Sequence, residues 1–462
     1  MISRREAFKL VAAGLALPAL GGAAPQPAMA AQEQGGSVPM LRDNAVRAGE
    51  MPGPGPSLDK PIVVKWRFAT GGKVESSPAV VDGSVFVGSD DGNVYAIDAA
   101  TGTEQWRFPT VDSVFSSPAV VDGSVFVGSN DGNVYAIDAA TGKEQWRFAT
   151  GDKVVSSPAV ADGSVFVGSW FEDRNVYAID AATGTEQWRF ATDEAVGSSP
   201  VVADGSVFVG SEDWSVYAID SASGTEQWRF VTDDAVSSSP AVVDGSIFVG
   251  SNDGNVYAID AATGTERWRF RTGDLVSSSP AVVEGSVIVG SADGNVYAID
   301  AATGTEQRRF STGATVFSSP AVVDGSIFVG SYDGCVYAID AATGTEQWRF
   351  VTGDFVFSSP AVVGGVIFVG SWDRNVYAIG NLEDAILVSD VTLRGGPSSS
   401  DADRGAAKVG DVVDTVGARE ERDGQMWVEV TIGDVTGWIP LDAIDPATLP
   451  PEGEIEYVYV PE

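Results

Sequence analysis

The chain has 462 residues, with 64 Asp and Glu against 28 Lys and Arg, no histidine and one cysteine. A formal net charge of −36 argues against nucleic acid and anionic membrane as partners. The missing histidine removes the usual general base, metal ligand and triad member, and a single thiol excludes an intramolecular disulfide. So acidic a surface stays soluble when salt has shortened the Debye length to a few ångströms, which is the pattern of a halophilic protein.

Residues 1–30 read as a secretory signal peptide. Arg4 and Arg5 precede an apolar run that ends at Leu20, followed by the small-residue site Ala28-Met29-Ala30, and the run is too short to span a bilayer. The paired arginines resemble the twin-arginine export signal, with Phe8 one place later than in that pattern. The mature protein is expected to be extracellular or at the cell surface, without a membrane span. Residues 31–60 are Gly, Pro and polar residues ending in Pro52-Gly53-Pro54-Gly55-Pro56, a linker.

Between residues 61 and 381 one unit, SSPAVVDGSVFVGSNDGNVYAIDAATGKEQWRF at 116–148, recurs eight times with small changes. Its WRF begins at Trp66, Trp106, Trp146, Trp188, Trp228, Trp268, Arg308 and Trp348, a spacing of forty residues and once of forty-two. Such a period of short apolar strands and turns reads as a β-propeller, one blade per repeat. Asp122-Gly123 between two β-rich runs signals a hairpin. Asp131-Gly132 then turns into NVYAID, and Ala140-Thr141-Gly142 into EQWRF, giving four antiparallel strands. The middle strands are apolar on both sides, with Val125 and Val127 against Phe126, so each blade needs a neighbour on each face and the ring must close. The eighth unit stops after Val376-Tyr377-Ala378-Ile379, while the first WRF precedes any strand it could pair with. The amino-terminal strand is therefore expected to complete the last of eight blades.

Short strands at 385–388, 391–398, 408–411, 426–430 and 436–439 suit a small β-barrel over residues 385–446. Their order resembles the bacterial SH3-like domain, although Thr392 and Leu393 stand where that family has Asn and Val. Residues 447–462 read as an acidic tail. The fold class is all-β: an eight-bladed propeller of four-stranded blades, then an SH3-like barrel.

The run AIDAATGTEQW at 96–106 fits the tryptophan-docking motif AxDxxTGxxxW, and the repeats resemble the quinoprotein-type (PQQ-like) propeller repeat. The resemblance implies that Trp106, Trp146, Trp188, Trp228, Trp268 and Trp348 pack one blade on the next, the indole N–H meeting a backbone partner. Arg308 is the departure. Enzymes of that family bind a quinone, but their adjacent cysteine pair is absent here and the repeats are too uniform to show a distinct ligand set, so no cofactor is expected.

No catalytic residue is assigned. The acids recur in nearly every blade, as with Asp82, Asp122 and Asp162 beside turn glycines and Asp98, Asp138 and Asp180 in the docking motif, and a residue repeated eight times serves the blade. The aspartate loops lack EF-hand spacing, so no metal is assigned. Cys335 replaces the Asn of an Asp-Gly-Asn turn and has no histidine to activate it.

Function is sought where the repeats differ. The turn entering the first strand carries Phe115, Phe317, Phe355 and Phe357; the turn between the second and third strands carries Trp170, Phe171, Trp214, Tyr332 and Trp372. Other copies hold mostly Ser, Asn, Asp or Ala there, and the blade core is complete without these aromatics. The two turns share one face. Trp170, Phe171 and Trp214 belong to blades three and four, and Phe317, Tyr332, Phe355, Phe357 and Trp372 to blades seven and eight. Two aromatic clusters are therefore expected to flank the central opening as ligand- or partner-binding residues. The leading reading is a monomeric, exported, non-catalytic binding or scaffold protein that presents this face to an envelope protein or glycan. The alternative is a quinoprotein-like oxidoreductase of the alcohol or sugar dehydrogenase type.

Overall fold

The computed structural model describes residues 51, 53–381, 385–386, 391–396, 398–408, 412–413, 415–422, 425–432, 435–443 and 458–460. The expected signal peptide, the linker as far as residue 50, and most of the expected acidic tail lie outside them.

Strand β1 (Ile62–Ala69) precedes the first complete repeat, which forms β2 (Ala79–Val81), β3 (Ser84–Gly88), β4 (Asn93–Asp98) and β5 (Glu104–Pro109). β2 to β5 pair in sequence order as one antiparallel sheet, and six further sheets repeat that order. In the eighth sheet β1 pairs with Asn375–Asn381, setting Val64 against Ile379, Trp66 against Ala378 and Phe68 against Val376. The ring thus has eight four-stranded blades, and its two ends meet in the last one.

Local chemistry sets each turn. Asp82 and Gly83 between β2 and β3 both have positive φ, 48° and 76°, the backbone of a type I′ hairpin. The recurring acids do structural work: Asp91 accepts the Tyr95 hydroxyl at 2.7 Å and the Asn93 amide at 3.0 Å, and Asp98 accepts the Thr101 amide and hydroxyl at 2.9 and 2.8 Å.

Blades pack through two repeated contacts. A Cβ on Gly88 would lie 2.4 Å from Val114 of the next blade, and the series ends with Gly370 at 2.3 Å from Val74, across the seam of the ring. The indoles of Trp66, Trp106, Trp146, Trp188, Trp228 and Trp268 each donate to a carbonyl of the following blade at 2.8–3.1 Å. Each also lies on a turn glycine such as Gly102, where a Cβ would be 2.7 Å from Trp66. Trp348 is fully buried. At the departure, the corresponding approach to Gly344 is made by the Arg308 stem at 3.4 Å, a looser contact.

Both appendages touch the ring. Met51 N–H donates to Val322 O at 3.1 Å, Gly55 N–H to Asp324 Oδ2 at 3.1 Å, and Gly365 N–H to Pro54 O at 2.9 Å, so the end of the linker lies along blades seven and eight. At the other terminus Tyr459 exchanges backbone hydrogen bonds of 3.0 and 3.1 Å with Arg349, and Val458 N–H donates to Ile62 O at 3.0 Å. The stretch read as an acidic tail therefore carries a clasp at the seam between blades seven and eight. The Arg349 guanidinium sits between the rings of Tyr337 and Tyr459.

After the ring, Val391–Arg394, Asp403–Ala407, Thr415–Arg422, Gln425–Ile432 and Val435–Pro440 form a five-stranded antiparallel sheet, and Ala385–Ile386 pairs with Val412–Val413. Leu393, Ala407, Val428, Val430 and Ile439 make its core. The strands at 403–407 and 415–422 were not anticipated, because DRGAA and TVGAREER carry no clean apolar alternation. Of the expected strand at 408–411, Lys408 lies just past the strand ending at Ala407, and 409–411 lie outside the described residues. No helix among the described residues is long and apolar enough to cross a membrane.

Candidate functional site at the channel mouth

The turns entering each blade's first strand and those between its second and third strands interlock on one face. Val114 N–H donates to Ser89 O at 3.0 Å, and Asn130 N–H to Ser113 O at 2.9 Å. The Ser-Ser-Pro that opens each first strand lies nearest the axis, where converging blades leave amides beyond any strand ladder and each amide must find another acceptor. The first serine of each pair accepts its own blade's glycine amide, as Ser76 does from Gly88 at 3.0 Å. The second joins a circle. Ser77 N–H donates to Ser117 Oγ, and the pattern continues through Ser157, Ser199, Ser239, Ser279, Ser319 and Ser359, whose N–H returns to Ser77 Oγ, all at 2.9–3.0 Å.

Seven of these eight, all but Ser239, line a cavity of about 470 Å³ at the mouth of the channel. Part of its wall is aromatic. Tyr332 stacks on Phe355 with centroids 4.7 Å apart and planes 5° from parallel, Phe317 meets Tyr332 edge-on at 5.1 Å and lies 6.0 Å from Phe357, and Trp372 is 5.3 Å from Phe355. The five residues expected on blades seven and eight thus form one connected cluster, with Phe317 and Phe357 facing the cavity. Lys73 Nζ stands 3.4 Å over the Trp372 ring.

The expected second cluster does not assemble. Trp170 lines the cavity and meets Phe171 edge-on at 5.0 Å. Gly197 makes room for it, since a Cβ there would lie 2.5 Å from the Trp170 ring. Phe171 belongs to the turn lengthened by two residues in blade three and is 47% exposed. Trp214 occupies the turn position that is Gly92 or Gly132 elsewhere, with φ 73°, and is 50% exposed. It does not line the cavity and makes no ring contact among the described residues. Blades three and four therefore contribute one ring to the mouth.

Sequence reasoning missed the polar half of the site. Glu75, Asn130, Lys153 and Glu212 line the cavity with Phe115 and Trp170, at turn positions that carry aromatics in other blades. That positional equivalence was the available signal. Burial, reinforced by Asp90 and partly offset by Lys73, pushes the Glu75 carboxyl up to about 7. Burial also raises Asp90 and Glu212 above the usual carboxylate range. Tyr332 is pushed up to about 12 by burial and by Glu75. Asp90 Oδ1, Asn130 Oδ1 and Trp372 Nε1 are buried without a hydrogen-bond partner among the described residues. Cys335 is buried and its thiol pushed up to about 11, chiefly by burial, which makes it unreactive.

Eight four-stranded blades closed around a channel define a β-propeller. Within it, the family described as outer membrane protein assembly factor BamB matches residues 63–156 and 294–388. The family described as beta-alanine-activating enzyme, beta-propeller, matches residues 123–327. The ring is thus a propeller of PQQ-like repeats. Among solved structures, BamB from Moraxella catarrhalis is 19% identical with a TM-score of 0.61, covering 69% of this chain and 99% of its own. A europium-containing methanol dehydrogenase is 15% identical with a TM-score of 0.66, covering 75% and 98%. Quinohemoprotein alcohol dehydrogenase from Comamonas testosteroni is 17% identical with a TM-score of 0.63, covering 74% and 80%. At these identities the likeness is one of fold. No curated protein matches the chain.

Proposed function

We propose that this is an exported, non-catalytic binding protein whose channel-mouth face engages a protein or glycan of the cell envelope. One observation carries the reading: the aromatic departures of blades seven and eight form one connected cluster at this mouth, with Phe317 and Phe357 on the cavity wall. The signal-peptide reading supports export. The match to a family described as an outer membrane assembly factor favours a binding role. The β unit after the ring, through its resemblance to SH3-like domains, would supply a second contact, and the acidic surface is read as adaptation to salt.

The structural likeness to methanol and alcohol dehydrogenases keeps a quinone-dependent oxidoreductase as the second reading. The residues at the mouth do not fit pyrroloquinoline quinone, a tricarboxylate. Glu75 and Glu212 line the cavity with carboxyls raised chiefly by burial, Asp90 adds its charge beside Glu75, Lys73 is engaged over Trp372, and Lys153 is the one cation on the cavity wall among the described residues against the three carboxylates of the quinone. A trianion would add to the repulsion.

Immobilised wild-type protein and a Phe355→Ser/Trp372→Ser variant of matched melting temperature are exposed to native envelope extract. The expected result is a ligand retained by the wild type and lost by the variant. Equal retention sinks the proposal. Dye-linked alcohol oxidation after addition of the quinone would establish the second reading instead.

A further inference from the structure

We propose that the channel mouth recognises an organic ammonium group, seated between the aromatic rings that flank Glu75 and paired with its carboxylate. This rests on the mouth being the binding face and names the chemistry it binds. In every blade the residue just before Ser-Ser-Pro lines the cavity. Blades seven, eight, one, two and three, consecutive around the serine circle, place Phe317, Phe357, Glu75, Phe115 and Val155 there, and the other three blades place Gly or Ser. One side of the mouth is therefore an apolar arc with a single acid inside it. Glu75 has a phenyl ring at its own position on the blade before and on the blade after.

An acid in that setting is costly unless a cation pairs with it. Burial pushes the Glu75 carboxyl up to about 7, Asp90 adds repulsion, and no hydrogen bond among the described residues offsets them. The charge of Lys73 offsets them in part, with its Nζ held 3.4 Å over the Trp372 ring. Unlike the sealed Oδ1 of Asp90, Glu75 lines the cavity, so a bound group can reach it. Glu212 on blade four also lines it and accepts the Ser237 hydroxyl at 2.9 Å. Lys153 is the one cation on the wall among the described residues, so negative charge is in excess there as it is over the whole chain.

The surroundings select the ligand. An anion would meet Glu75 and Glu212. A neutral apolar group would cover the rings and leave the carboxylate unpaired. A metal ion needs about six oxygen ligands, and among the described residues no group of three or more His, Cys, Asp or Glu is placed to hold one. An ammonium that carries alkyl groups answers both halves, since its charge pairs with the carboxylate and is attracted to ring faces while its alkyl surface covers them. Water would solvate the acid but gives no reason for rings on both sides of it. A volume of about 470 Å³ lies in the small-ligand range of about 300–1,000 Å³.

The test titrates the full-length protein by calorimetry at pH 8 and fixed sodium chloride, with choline, with n-butylammonium, and with 3,3-dimethylbutan-1-ol, the uncharged isostere of choline. Saturable binding of at least one of the cations is expected, with the alcohol about tenfold weaker or worse. Glu75→Gln, which keeps the shape and removes the charge, should weaken cation binding about tenfold, and Phe115→Leu, which keeps apolar volume and removes a ring, about threefold. Only the ionised carboxyl pairs with the cation, so wild-type affinity should fall about tenfold from pH 8 to pH 6. The fall should be much smaller in Glu75→Gln, where Asp90, Glu212, Tyr332, Lys73 and Lys153 are unchanged. The proposal is overturned if neither cation saturates by about 10 mM, if the alcohol binds as tightly as the cations, or if either variant binds them as the wild type does. Displacement of a captured envelope ligand by the cation assigns the ammonium group to that ligand; binding without displacement assigns it to a free small molecule. If no cation binds while envelope capture still depends on Phe355 and Trp372, this proposal falls and the mouth remains the binding face. If capture is indifferent to those residues, the binding-face reading itself falls.

Discussion

Replacing Glu75 with glutamine gives a stability effect whose sign depends on pH. The wild-type carboxyl titrates near 7 in the folded chain against an ordinary 4.5, because burial and Asp90 outweigh Lys73. Below about pH 4.5 the folded and unfolded states both hold the proton and the group contributes nothing. Between 4.5 and 7 the unfolded chain ionises first, so stability falls as pH rises, and above 7 the full penalty applies. The shift corresponds to about 3 kcal/mol as an upper limit, and solvent screening of a half-buried group reduces it to about 1–2 kcal/mol. Glutamine cannot ionise. Glu75→Gln should therefore match the wild type at pH 4 and melt higher at pH 8 by about 2–6 °C. Asp90, Tyr332 and Lys73, the other charged or titratable groups coupled to Glu75, are unchanged in the comparison. With no histidine in the chain, the window around neutral pH is unusually free of competing titrations. Thermal melts at fixed salt from pH 4 to 9 provide the assay. A difference that stays constant with pH, or a wild type that gains on the variant as pH rises, would refute the reasoning.

Arg308→Trp should raise the melting temperature, with a gain of about 1 kcal/mol from restored indole packing on Gly344; an unchanged or lower melt would show that the Arg308 stem already fills that site. Deleting residues 458–462 removes the clasp on Arg349 and Ile62, and a loss of about 1–3 kcal/mol is expected from the buried valine and its backbone hydrogen bonds. Faster hydrogen exchange should then be confined to blades seven and eight, and uniform exchange across the ring would contradict the seam assignment. Transfer to low salt should lower the melting temperature progressively, because a net charge of −36 loses its screening. A melting temperature independent of salt would contradict the halophilic reading.

The ring was legible because its causes are local and repeated. Asp-Gly turns, apolar middle strands and a forty-residue period define the blade, and two orphan half-blades at the ends define the closure that β1 completes. The docking role of the tryptophans was equally readable, as was Arg308 as the odd contact. The serine circle was not, since Ser-Ser-Pro looks like the start of a strand until eight copies converge on one axis. The mouth aromatics on blades seven and eight were found by their departure from the repeat. Trp214 was misplaced with them, because one turn position separates a glycine site from a cavity-lining site, and the lengthened turn of blade three obscured the register. Glu75, Asp90 and Glu212 were hidden among 64 acidic residues. In the tail, Val458-Tyr459-Val460 carried a short β-prone signal within an acidic stretch, too brief to announce a clasp.

The most direct test of the mouth as the binding face is covalent footprinting of the protein, free and bound to envelope extract. Mass spectrometry would read the labelling of aromatic side chains by hydroxyl radicals. Phe355, which is 38% exposed, with Trp372 and Tyr332 beside it, should be protected several-fold, while the exposed Tyr459 on the outer strand of blade seven and the docking tryptophans such as Trp106, packed on the turns of the opposite face, keep their reactivity. Protection centred on that opposite face or on the outer strands, with Phe355 and Trp372 labelled as in the free protein, would contradict it.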